Sequence, residues 1–296
     1  MLDLHLEPLL DTHVHLWNLS HPKLAWNWVD TVDDHPVVGE IESIKMRAFE
    51  MQHLLAETRF AGVDGFVHVQ AAIGSADPVE ETRWLTDMAR SFPALKALIA
   101  HGDLGTDGFA AQIAGHQESA LFRGIRDFAV EPYLADGGTA TTMERDLKKL
   151  ADESLVLDLD CEYPNMRVAR ALAERHSELI IVLEHMGFPR RRDDEYFRGW
   201  RTAITDLAQA PNVMCKVSGV VMTDRFFTMD SLRPWVRHCV EAFGPDRVMV
   251  GSNWPLDRVA GSYDPIMGHI RALIAEDSPS NRAKMLHGTA YRVYRI

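Results

Sequence analysis

Histidines, amides and charged side chains recur in this 296-residue sequence wherever a short apolar run ends. His13 and His15 follow Leu9 and Leu10, and residues two apart on an extended strand point to the same side. His68 and Gln70 repeat that spacing. Further along come His101 with Asp103, Arg126 with Asp127, Asp158 with Asp160, His185, Lys216 with Ser218, and the run Ser252-Asn253-Trp254-Pro255. Imidazole is the side chain best suited to proton transfer or metal ligation near neutral pH. Each residue also has a plainer reading: a single His-x-His as hydrogen-bonded structure, His68 as a core histidine, Asp158 and Asp160 as loop caps, Lys216 as a structural ion-pair partner. Their recurrence at the same end of successive runs is more telling, because unpaired polar groups are costly to bury. His13, His15 and His185 therefore read as a working site.

The elements that must position them are eight near-continuous apolar runs, at 9–15, 65–70, 95–100, 122–126, 155–160, 179–185, 213–217 and 248–252. Such runs suit parallel strands covered by helices. Helical patterns lie between them, at 44–60, 77–90, 146–152, 164–176, 200–209, 230–243, 265–274 and 281–291. Asp77-Pro78 supplies an N-cap and a first-turn proline, and 190–195 reads as a solvated loop. Eight alternations predict an α/β fold, a single (β/α)8 TIM barrel over residues 1–296, with its site at the C-terminal ends of the strands. No Gly-x-Gly-x-x-Gly follows a strand, which weakens a dinucleotide-binding reading.

Composition narrows the function. Hydrophobic residues make up 46% and charged residues 25%, the balance of a globular protein. The net charge of −12 offers no electrostatic footprint for nucleic acid or an anionic membrane. No apolar run nears the roughly 18 residues of a membrane span, and the N-terminal segment lacks the pattern of a signal peptide. Cys161, Cys215 and Cys239 are too scattered for a disulfide framework. The expectation is a cytoplasmic enzyme with a small-molecule partner; monomer and homodimer fit equally well.

At Asp11-Thr12-His13-Val14-His15-Leu16-Trp17, Phe122-Arg123-Gly124-Ile125-Arg126, Val182-Leu183-Glu184-His185-Met186-Gly187, Cys215-Lys216-Val217-Ser218-Gly219 and Gly251-Ser252-Asn253-Trp254-Pro255, the sequence resembles the amidohydrolase superfamily. The resemblance is to its branch of sugar-lactonase-like, metal-dependent hydrolases and covers nearly the whole chain. It implies a barrel and hydrolysis of a cyclic ester, a sugar or dicarboxylate lactone. The sequence departs from the wider superfamily at two places. Asn253 stands where an Asp would serve as metal ligand and base, and strand 5 ends in Asp160-Cys161-Glu162 in place of a His. One divalent ion, zinc first, held by His13, His15 and His185 is the expected cofactor, since three nitrogen ligands suffice for catalytic zinc. Metal-free catalysis by the same histidines is the alternative.

Lactone hydrolysis requires an activated water, a stabilised oxyanion and a proton for the leaving alkoxide. The expected roles place His13, His15 and His185 at the carbonyl, with Asn253 orienting water. Arg126, Lys216, Trp254, His68 and Gln70 are expected to bind substrate. Asp160 and Asp257 are the candidate bases. Trp17, Trp26 and Trp28 serve either sugar stacking or loop packing. Two other readings are a non-oxidative decarboxylase of an aromatic acid and a binding protein on a decayed enzyme scaffold.

Overall fold

The structure, a computed structural model, describes residues 6–296. Eight strands, β1 (Leu9–Val14), β2 (Val63–Val69), β3 (Leu95–His101), β4 (Phe122–Arg126), β5 (Val156–Leu159), β6 (Ile181–Leu183), β7 (Val213–Val217) and β8 (Val248–Val250), form one sheet in sequential order. Every neighbouring pair is parallel. A principal helix follows each strand: α1 (Met51–Thr58), α2 (Val79–Ala89), α3 (Phe109–His116), α4 (Thr141–Asp152), α5 (Met166–Arg175), α6 (Asp194–Leu207), α7 (Met229–Phe243) and α8 (Tyr263–Leu273). This is the (β/α)8 barrel expected from the alternation. None of the described helices is long and apolar enough to cross a membrane.

The ring closes through residues just beyond β8. Asn253 N–H donates to the His13 carbonyl and His15 N–H donates to the Trp254 carbonyl, both at 2.8 Å. Thr12 Oγ1 donates to the Val250 carbonyl at 2.9 Å. Asp11 sits behind this seam and accepts from Ser252 N–H, Ser252 Oγ and Tyr263 Oη. Gly251 permits the close approach, because a Cβ there would stand 2.9 Å from Thr12 Oγ1 and 3.0 Å from the His13 nitrogen.

Inside the ring the side chains stack in layers. An apolar layer includes Leu10, Val69, Ile99, Val182, Met214 and Met249, sealed by Val293 and Tyr294 of the helix Thr289–Tyr294. Two residues further along several strands, and so on the same inward face, come Asp158, Glu184 and Lys216, with Arg126 from β4; all are buried. Two positive and two negative side chains thus form a charged layer between the apolar floor and the mouth.

Two expectations are corrected. The pattern at 44–60 forms a helix only over α1, because Ala48 and Phe49 pair antiparallel with Asn18 and Trp17. The helix starts where Glu50 and His53 make a reciprocal capping box. The acidic end of the 190–195 run is not loop: Asp193 caps α6, accepting from Tyr196 N–H at 3.0 Å. Cys161, Cys215 and Cys239 are buried free thiols.

Candidate active site

Above the charged layer lies a cavity of about 300 Å³ at the C-terminal ends of the strands. His15, Gln70, Arg126, Asp160, His185 and Asn253 reach its wall. His13 and Glu184 lie directly beneath, fully buried.

The histidines are held by specific contacts. His15 Nδ1 stands 2.9 Å from the Val69 carbonyl, which can only accept, so Nδ1 carries the proton and Nε2 presents a lone pair. His13 Nε2 faces that lone pair at 3.2 Å. His13 Nδ1 and Glu184 Oε1 are 3.4 Å apart, and neither has a hydrogen-bond partner. His185 Nδ1 pairs with Ser218 Oγ at 2.9 Å. Burial, reinforced by nearby charges that include Arg126 or Lys216, holds all three imidazoles well below their ordinary pKa, so each is neutral.

His185 owes its position to an unusual turn. His185, Met186, Gly187 and Phe188 all have left-handed φ angles of 49°, 57°, 72° and 48°. Three are not glycine, and each such residue costs on the order of 1–2 kcal/mol. Trp200 Nε1 of α6 holds the turn by donating to the Met186 carbonyl at 2.7 Å. Gly219, itself left-handed, lets the neighbouring loop approach: a Cβ there would stand 2.7 Å from His185 Nδ1.

A cation fits beneath the cavity. A neutral His13 has one proton for two contacts. On Nε2 it satisfies His15 and leaves Nδ1 facing Glu184 Oε1; on Nδ1 it leaves two lone pairs opposed at 3.2 Å. His13, Glu184 and His185 each offer a donor atom within 4.8 Å of the others, and all three are buried. Two of the three expected ligands, His13 and His185, stand in this group with Glu184, and His15 lies beside it with its Nε2 toward His13. Sequence reading passed over Glu184; its only signal was an acidic residue closing the apolar strand 181–183, where burial demands a partner.

Asp160 and Asp257, the two candidate bases, have separate surroundings. Asp160 lines the cavity, and burial together with the neighbouring Glu184 pushes its pKa up to about 7. Asp257 lies behind the wall, where burial pushes it up to about 8, and accepts from Asn253 Nδ2 at 2.8 Å. That bond leaves Asn253 Oδ1 as the acceptor available to the cavity.

Several residues expected to touch substrate do not reach the cavity. Lys216 Nζ is fully buried and bonded to Asp158. Trp254 turns outward, with Nε1 donating to Glu57 Oε2 of α1 at 2.9 Å, because Asn253 takes a left-handed φ of 75° before it. His68 alternates with the inward Val67 and Val69, so it faces Glu81 of α2, 3.8 Å from Oε1. Trp17 and Trp26 are buried packing residues, and Trp28 alone of the three lines the cavity. Arg126 is on the wall, donating to Glu184 Oε2 at 3.1 Å and to the Gln70 carbonyl at 2.7 Å. The Gln70 amide has no partner on either atom.

Comparison with known proteins places this geometry. The family model Amidohydro_2, described as amidohydrolase, matches residues 10–296. This chain belongs to the amidohydrolase family. The amidohydrolase is 30% identical to the uncharacterized protein y4mH of Sinorhizobium fredii, over 97% of this chain and 98% of that one. It is 27% identical to L-fucono-1,5-lactonase of Burkholderia multivorans, over 97% and 96% of the two chains. A crystal structure of an amidohydrolase from the same species with bound zinc superposes with a TM-score of 0.81. Its identity is 25%, covering 97% of this chain and 99% of the other.

Proposed function

We propose that this amidohydrolase opens a six-membered cyclic ester by water attack, with Asp160 as the general base. The observation that carries the reading is Asp160 itself, a carboxyl on the cavity wall with its pKa pushed up to about 7. A base poised near the working pH is the most effective one. The lactonase relatives supply the reaction class, since a 1,5-lactone is a six-membered ring.

The substrate carbonyl lies over His185, whose Nε2 is the nitrogen left to hold a cation because Nδ1 is engaged by Ser218. Water held by Asn253 Oδ1 attacks the carbonyl carbon as Asp160 takes its proton. The buried Arg126 guanidinium gives the charge that develops on the carbonyl oxygen a favourable field. The ring C–O bond then breaks, and Asp160 returns the proton to the alkoxide, leaving a hydroxy acid. His13, Glu184 and His185 would hold a divalent cation, zinc in this proposal, which when bound would supply Lewis-acid polarisation of the carbonyl.

A pH-indicator assay over δ-lactones, including L-fucono-1,5-lactone, with and without chelator, tests the reading. Turnover that falls at least 100-fold in Asp160→Asn is the expected result. Turnover of no lactone, or an unimpaired Asp160→Asn enzyme, overturns it.

A further inference from the structure

The walls of the cavity above the reacting groups are mainly hydrocarbon. Trp28, Val37, Ile73, Phe128, Met222 and Leu256 come from loops following several different strands and converge on the same space. Ile73 and Phe128, two of the five exposed large hydrophobic side chains among the described residues, keep 39% and 41% of their surface open to solvent. Arg126 lies beneath Phe128, its guanidinium carbon 4.9 Å from the ring centre.

The polar groups here are largely committed. Arg126 is paired with Glu184, Arg190 with Glu162 at 2.8 Å, and Lys216 with Asp158. Asn253 Nδ2 is held by Asp257, and His35 Nδ1 accepts from Val37 N–H at 3.2 Å. Gln70 keeps an amide oxygen and nitrogen that lack partners, Arg126 Nε is likewise unpartnered, and Asn253 Oδ1 is taken by the attacking water. One amide serves the ester group or a single hydroxyl. It does not serve the several hydroxyls of a sugar, each of which loses water on entry and needs a replacement. The two guanidinium groups on the wall each already face a carboxylate, Arg126 that of Glu184 and Arg190 that of Glu162.

We infer that the cyclic ester this chain hydrolyses carries an apolar substituent in place of sugar hydroxyls or a second carboxylate, a reading that rests on the lactone-hydrolase proposal. The ester faces His185 and Gln70, and the substituent covers Ile73 and Phe128. A volume of about 300 Å³ is at the small end for ligand pockets, which suits one ring and a short chain.

The test compares kcat/KM for δ-valerolactone, δ-hexalactone and δ-octalactone with that for L-fucono-1,5-lactone. Each methylene placed on the apolar wall is expected to raise kcat/KM about fourfold. The sugar lactone is expected to fall below the alkyl lactones. Phe128→Ser and Ile73→Ser should each lower the octalactone-to-valerolactone ratio severalfold. A sugar lactone that outpaces the alkyl series overturns the inference and leaves the hydrolase reading standing. If no lactone turns over, the hydrolase reading fails, and calorimetric binding of δ-lactams decides the apolar wall separately. Tighter binding of the propyl-substituted lactam than of a polyhydroxylated lactam supports it; the reverse order, or binding of neither, overturns it.

Discussion

His13 and His15 point their Nε2 atoms at each other across 3.2 Å, and the proton of His15 is already committed to Val69. Glu184 stands on the other side of the His13 ring, 3.4 Å from Nδ1. His13 therefore needs two donors where a neutral imidazole has one, and a cation resolves the conflict without protonating a buried ring.

Metal binding should depend on Glu184 more than its neighbour-by-accident place in the sequence suggests. Chelator-stripped protein titrated with Zn²⁺ in a calorimeter is expected to bind one equivalent. Glu184→Gln, which keeps an oxygen for Arg126, should weaken that binding at least tenfold, because a carboxylate ligand becomes neutral. Equal affinity in the two proteins would remove Glu184 from the metal centre.

Asp160 links activity and stability to pH in opposite directions. As a base it must be ionised, so kcat/KM of the wild type should rise with pH as Asp160 loses its proton and level off above that step. Its folded pKa of about 7 lies above the ordinary 3.8, so the folded state holds this proton more tightly than the unfolded chain. The resulting stability is complete below pH 4 and is lost as the pH rises through 7. Asp160→Asn should accordingly be more stable than wild type at pH 8 in urea titrations, and should lose the rising limb of activity.

Lys216 and Asp158 stand or fall together. Lys216→Met strands Asp158 in a fully buried site beside Glu184, and a broken buried pair typically costs about 3–5 kcal/mol. Adding Asp158→Leu should recover most of that loss, since an apolar pair can replace a buried ion pair. Urea unfolding of the two variants measures the difference. A double variant no more stable than the single one would show that the pair is tied into the charged layer as a whole.

Trp200 is expected to matter beyond its bulk. Trp200→Phe leaves the Met186 carbonyl buried and unpaired, at a cost of about 1–3 kcal/mol. With the left-handed turn loosened, His185 should lose its fixed aim and turnover should fall with stability. A stable variant with full turnover would mean that the turn holds itself.

The barrel was legible because each strand is a short, near-continuous apolar run, and the observed strands start and stop within two residues of those runs. The helix pattern at 44–60 misled because its apolar spacing also serves a short strand pairing with Trp17. At the site, residue types announced the cavity end of the barrel, but their facing depended on details no spacing records. His68 follows strict alternation away from the interior, and Trp254 is turned outward by the left-handed Asn253. Glu184 was hidden in plain view, since a lone acid at the end of a strand shows its value only once His13 and Arg126 are seen around it.

Tyr294 belongs to the helix Thr289–Tyr294 that seals the apolar floor, and its hydroxyl reaches up to Asp158 at 3.3 Å. The chain thus meets the underside of its own charged layer only after all eight strands have been made. Tyr294→Ala would strip the aromatic cover that Lys216 Nζ has 5.6 Å from the ring centre and open the buried ion pair to water from below.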